Sequence, residues 1–441
     1  MNATLVDRKG IASRLAAEGS FAIGCGYTTV AAQKYAEAGK ELERNLASAR
    51  KAPDRHLLRF LAASQYYHGG HYQRALNLSK HIERRFLSPD MRQLLTKFSK
   101  DVNVRSSPNY KERMRKSVAE LWLAKEFQKV LDVLKEHQFV YEQSSLAFLR
   151  AVICEELEQW KAAAVFYAMA IPDIPDGSDF MLMAVGRVLG MHSEGRIEEA
   201  WAYISHLQKL LPNAVTNTVT SITCFFRASK ATGEDRLLLH RDQLRYFEDG
   251  RRAYQKLAVD RQNHPEMLDI MSMGFNAALM ALKRLSDDTR FRTMADEAIL
   301  MEPNNPGPYL QLAEYAFRRG QFSEAERLCN LALTKSLSNV VRAQVLGCLA
   351  VFQDCLGKPG AQVESLFRQA FDLDPGNESV ATNYKLFMDT VTSTPVNGSK
   401  RWSLDTIRKP VDPDIISWES SQISGANRNA RVRDVLLAGT I

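Results

Sequence analysis

Residues 306–339 constrain the fold of this chain more than any other stretch. Tyr309, Leu312 and Ala313 on one side of Gly320, and Phe322, Ala325, Ala332 and Leu333 on the other, recur with helical spacing, which predicts two helices joined by a short turn. Helices approach closely only where a small side chain leaves room, so Ala325 and Ala332 of the second helix are matched to large residues of the first. One such hairpin cannot bury its own apolar face, and others must flank it.

The same frame recurs along the chain. Residues 272–305 offer Phe275, Ala278, Leu279, Phe291, Ala298 and Pro303. Residues 344–377 keep Phe367, Ala370 and Pro375, with Gly357 one residue early for the turn. Upstream, 181–214 carries Gly195, Ile197, Ala200, Ile204 and Pro212; 144–177 carries Trp160, Ala163, Tyr167, Ala170 and Pro175; 56–89 carries Tyr66, Gly70, Tyr72 and Ala75. These units resemble tetratricopeptide (TPR) repeats. A further unit at 111–144 has Phe127 and Leu134 in frame but Val130 and His137 where TPR repeats usually have Ala.

The resemblance covers about 56–385 and implies an all-α fold, a right-handed superhelix (α-solenoid) of helix-turn-helix repeats. Residues 213–264 read as a diverged unit with an overlong second helix: Ile222, Phe225 and Phe226, then Leu238, Leu244, Tyr254 and Leu257, joined across Gly233. Residues 1–55 read as an N-terminal helical cap, partly irregular. Residues 90–110 read as a helix end and a loop around Ser106, Ser107 and Pro108. Residues 391–441, with Pro395, Pro410 and Pro413, cannot build a repeat and read as a flexible or docking tail. Their Trp402, Ile407, Val411, Ile415, Ile416 and Trp418 are many apolar residues for an inert one.

At 441 residues a globular chain would make two or three domains, whereas a solenoid runs this long as one body. No run of about 18 apolar residues predicts a membrane span, and Glu18 ahead of the mild 21–32 stretch argues against a secretory signal. The six cysteines, Cys25, Cys154, Cys224, Cys329, Cys348 and Cys355, form no CxxC pair. Buried reduced thiols are the expectation, which points to the cytoplasm or the nucleus.

Charge is uneven. Between Lys40 and Lys116 stand 18 Lys and Arg against 7 Asp and Glu, although the whole chain carries only +7. Arg84, Arg85, Arg92, Lys97, Lys100 and Arg105 form the centre of this block. A solvated helix face is the simpler reading, since no aromatic-rich RNA-binding motif accompanies it; a nucleic-acid surface is the alternative.

No Walker loop, dinucleotide fingerprint, nucleophile elbow or HExxH is present, so no enzyme is expected. His240-Arg241-Asp242 lies in a predicted helix and lacks the downstream Asn of a kinase loop. His68 and His71 flank a glycine turn without two further ligands nearby, so neither a metal nor another cofactor is expected.

The TPR resemblance implies that set positions of each first helix line a concave groove. Here they give Phe148, Val152, Val185, Leu189, Asn276, Met280, Leu310 and Glu314, mostly apolar. TPR domains that clamp a C-terminal carboxylate use Lys and Asn at matching positions, which this chain lacks apart from Arg115 and Lys116. The resemblance therefore implies a non-catalytic protein-binding scaffold or adaptor subunit. A partner peptide, helix or neighbouring subunit would meet Phe148, Val152, Val185, Leu189, Met280 and Leu310. A nucleic-acid-binding repeat and a peptide- or ligand-sensing regulator are the alternatives.

Overall fold

The computed structural model describes residues 3–171, 179–335, 337–392 and 425–438, and all regular structure among them is helical. No described helix is long and apolar enough to cross a membrane. The chain divides into two compact units, residues 1–172 with 428–441, and residues 173–427.

The first unit contains α1 (Ala3–Gly24), α2 (Thr28–Ser48), α3 (Ala52–His68), α4 (Tyr72–Lys80), α5 (Pro89–Arg105), α6 (Tyr110–Leu123), α7 (Phe127–Glu136), α8 (Gln143–Glu156) and α9 (Trp160–Ala170). Successive helices pair, α1 with α2, α3 with α4, α6 with α7 and α8 with α9. The segment expected to be a helix end and a loop is instead the 17-residue α5, started by Ser88, whose side chain accepts from Met91 N, and by Pro89. Leu95 and Val102 are its buried anchors.

The second unit contains α10 (Asp179–Ser193), α11 (Ile197–Leu210), α12 (Ala214–Lys230), α13 (Gly233–Tyr254), the short α14 (Val259–Gln262), α15 (Pro265–Leu285), α16 (Asp288–Met301), α17 (Pro306–Arg318), α18 (Phe322–Leu333), α19 (Asn339–Cys355), α20 (Gly360–Leu373) and α21 (Glu378–Thr392). A last helix, α22 (Gly425–Ala438), follows, and its residues from 428 onward belong to the first unit. The tail residues Trp402, Ile407, Val411, Ile415, Ile416 and Trp418 lie outside the described residues, as does Pro175.

One backbone turn recurs at eight hairpin joints. A residue with positive φ stands at Gly26, Gly70, Lys125, Glu158, Gly195, Ser286, Gly320 and Gly357. The N–H of the next residue then reaches back five positions, as from His71 to Tyr66 O at 2.8 Å, Gln159 to Cys154 O at 2.8 Å and Gln321 to Ala316 O at 3.0 Å. This is the six-to-one closure that ends a helix on a left-handed residue. In seven of the eight the next helix starts two residues after the positive-φ residue. The residue five after it (Ala31, Ala75, Val130, Ala163, Ala200, Phe291 or Ala325) is at most 1% exposed. At Gly357 the turn holds one extra residue, so α20 starts at Gly360 and the buried position moves to Val363. That insertion is why Gly357 stands one residue early.

The joint between α12 and α13 is different. Ala231 and Thr232 are extended and α13 starts at Gly233. α12 is buried on all sides from Ala214 to Phe225, although it holds four threonines and a serine in that span. Thr220 and Thr223 satisfy their hydroxyls on the carbonyls of Thr216 and Val219, at 2.6 and 2.8 Å. Close approach comes from glycine: a Cβ at Gly250 of α13 would lie 2.6 Å from Thr218 Oγ1, and one at Gly274 of α15 would lie 2.5 Å from Thr218 Cγ2.

Candidate protein-interaction surface

The six residues expected to line a groove are inside the packing. Phe148, Val152 and Val185 have no exposure, and Leu189, Met280 and Leu310 are 2, 7 and 8% exposed. The reason is that the first helix of each hairpin is covered by neighbours on several sides. Every residue of α8 from Ser145 to Glu155 is buried, and α15 packs on α12, α13, α16 and α17. Glu314, at another groove position, is buried as well and pairs with Lys283 and Arg318. As surface residues these assignments are corrected: their apolar character serves the helix stack.

The basic block splits into spent and available charges. Arg105, with a side chain only 9% exposed, does not belong to a surface patch. Its Nε bonds Asp101 Oδ2 at 3.0 Å, its two terminal nitrogens reach Glu136 O and Oε1 at 3.2 Å, and its guanidinium stacks on Tyr67 at 5.2 Å. Arg150 likewise sends its Nη2 to Leu134 O, so two arginines sit at the negative C-terminal end of α7. Arg85 pairs with Glu83 at 2.7 Å and lies over Phe86, and Arg92 Nε donates to Leu87 O at 3.0 Å. Arg84, Lys97 and Lys100 are exposed and carry no ion pair among the described residues.

The histidines that the sequence singled out are turn and packing residues. His71 precedes α4 as its cap residue, and His68 packs beside the Tyr35 and Tyr67 rings. His240 is buried in α13, with Nδ1 3.0 Å from Gln243 Oε1, and Gln243 in turn donates to Ala277 O on α15 at 2.7 Å.

A surface that groove positions did not indicate lies at the joint between α7 and α8. There the first unit holds α22. Val432, Val435 and Leu436 are at most 1% exposed, while Arg433, Asp434 and Leu437 face outward. Tyr141, itself 5% exposed, donates its hydroxyl to Leu436 O at 3.3 Å, and burial holds that hydroxyl well above the usual tyrosine range. Arg115 fixes the other side of Tyr141: its Nη2 donates to Val140 O at 3.2 Å and its guanidinium lies 5.9 Å from the ring centre. Arg115, one of the two residues reminiscent of a carboxylate clamp, is thus engaged with the chain's own backbone. A helical spacing of Val432, Val435 and Leu436 was legible, but it stands in a segment whose composition reads as tail.

No family model and no curated protein matches this chain. Among solved structures, the crystal structure of the APC/C hetero-tetramer Cut9-Hcn1 is similar over 92% of this chain and 89% of that chain, at 14% sequence identity and a TM-score of 0.27. At that score the two backbones do not superpose closely enough for one to stand for the other. The recurring turn and the paired helices carry the fold by themselves: the chain is an all-α helical-repeat protein built of TPR-like hairpins.

Proposed function

We propose that this chain is a non-catalytic protein-binding scaffold, an adaptor or subunit of a larger assembly, and that it holds amphipathic helical segments of its partners. The observation that carries this reading is the seating of α22. A repeat unit that buries Val432, Val435 and Leu436 from a helix 295 residues away from Tyr141 has a surface suited to that kind of ligand. The interior position of the six groove residues directs the reading to this seat and away from the groove.

Nucleic-acid binding is the second reading, because Arg84, Lys97 and Lys100 are exposed and unpaired among the described residues. It has fewer charges to work with than the sequence suggests, since Arg105 is internal and Arg85 is neutralised by Glu83. Cross-linked capture with the full chain, with and without nuclease, separates the two. Protein partners that survive nuclease treatment are expected. Recovery of nucleic acid alone, with binding that falls steeply as salt rises, would overturn the scaffold reading.

A further inference from the structure

The contact that holds α22 is small and tethered. Among the described residues it shows one apolar stripe, Val432, Val435 and Leu436 at i, i+3 and i+4, and one hydrogen bond from Tyr141 to the Leu436 carbonyl. A 14-residue helix is marginal on its own in water. The 32 residues from 393 to 424 tie it to α21, which makes its encounter with the seat intramolecular.

We propose that α22 is an autoinhibitory ligand held in cis. It occupies a helix-binding seat beside Tyr141, and a partner helix with aliphatic residues at the same i, i+3, i+4 spacing displaces it. This deepens the scaffold reading and rests on it for the existence of such a partner. The physics favours a removable occupant: the described hold is three aliphatic side chains and one hydrogen bond, and the covalent connection adds effective concentration to it. Arg433, Asp434 and Leu437, on the outer face of α22, remain free to meet the incoming partner first.

The test needs no partner. A fluorescent peptide of residues 425–441 is titrated by anisotropy against three full-length chains: wild type, Val435→Asp with Leu436→Asp, and a chain with about 64 Gly and Ser residues inserted between 393 and 424. The charged variant empties the seat and is expected to bind the peptide at least about tenfold more tightly than wild type. The lengthened chain leaves every described residue unchanged. Tripling the tether lowers effective concentration as roughly the −3/2 power of length, so about fivefold tighter peptide binding is expected. Hydrogen exchange around Tyr141 should rise in the charged variant and fall again on adding peptide.

Equal peptide affinity for all three chains, or binding to none, overturns the proposal. If exchange also rises throughout α8 and α9 of the charged variant, the lengthened chain decides: tighter binding supports the proposal and unchanged binding overturns it. Failure of the scaffold reading looks different, because the peptide would still bind the opened seat while capture yields no nuclease-resistant protein.

Discussion

At the scale of single residues, the buried ionisable groups set the sharpest expectations. His192 is 8% exposed, with Nε2 3.0 Å from Thr223 Oγ1 and its ring against Phe226, and burial lowers its pKa to about 3. The folded chain therefore binds this proton far less readily than the unfolded chain does. The contribution is whole above pH 6.5 and is lost as pH falls from there toward 3. Between pH 7.5 and 5 wild type should lose about 2 kcal/mol through this group, a loss that His192→Gln should lack when urea unfolding is compared at the two pH values. Glu314 is a second case, since it is 2% exposed and neutralises Lys283, whose side chain is only 10% exposed. Glu314→Ala leaves that ammonium without its counter-ion and should cost about 3 to 5 kcal/mol, most of it recovered by adding Lys283→Met. Neither role was legible. A sequence shows that Glu314 stands at a groove position, but only packing shows that the position is interior.

At the scale of elements, close helix approach governs both repeat types. Ala325 is fully buried, with Leu312 packed against the same cluster, so Ala325→Leu should overpack the α17–α18 hairpin by about 1 to 3 kcal/mol. An unchanged melting temperature would remove that hairpin from the frame. In the diverged unit, Gly274→Ala places a methyl group on Thr218 Cγ2 and should cost a similar amount, about 1 to 3 kcal/mol. Thr218→Ser deletes the opposing methyl, so a double-mutant cycle should show coupling of at least about 0.5 kcal/mol. The hairpins that announce themselves in sequence are those whose turn residue is glycine and whose buried position is alanine. Lys125, Glu158 and Ser286 take the same left-handed turn without being glycine, and Val130 and Phe291 fill the buried position without being small. At such joints no fixed residue type records the turn. α5 hid for another reason: its stripe of Leu95 and Val102 is thin, and Ser106, Ser107 and Pro108 just after it read as loop.

At the scale of the whole molecule, the basic block shows how far charge can be counted without geometry. Its excess is real in the sequence, yet Arg105 caps α7, Arg115 supports Tyr141 and Arg85 pairs with Glu83, so part of it is architecture. Reversing Arg84, Lys97 and Lys100 to Glu should therefore leave the helical circular dichroism intact and change capture of the main protein partner by less than about twofold, because exposed charges contribute little. Loss of capture with the fold intact would return the basic surface to the centre of the function. The division of labour between sequence and structure follows the same lines. Periodicity discloses that hairpins repeat, whereas which charges are free and where the last helix lands depend on contacts across hundreds of residues.

That last contact also has a schedule. Among the described residues of the first unit most other hydrogen bonds link nearby helices, with Thr29 to Gln143 a longer one, while Tyr141 waits for Leu436, 295 residues later. At about 5 to 20 residues per second, a ribosome needs roughly 15 to 60 s to make that span. Throughout that interval the hairpins around Tyr141 can fold with their seat vacant. A partner helix present during translation meets no competitor, whereas one that arrives afterwards must evict α22. The order of synthesis thus gives early partners a kinetic advantage that equilibrium affinity alone does not describe.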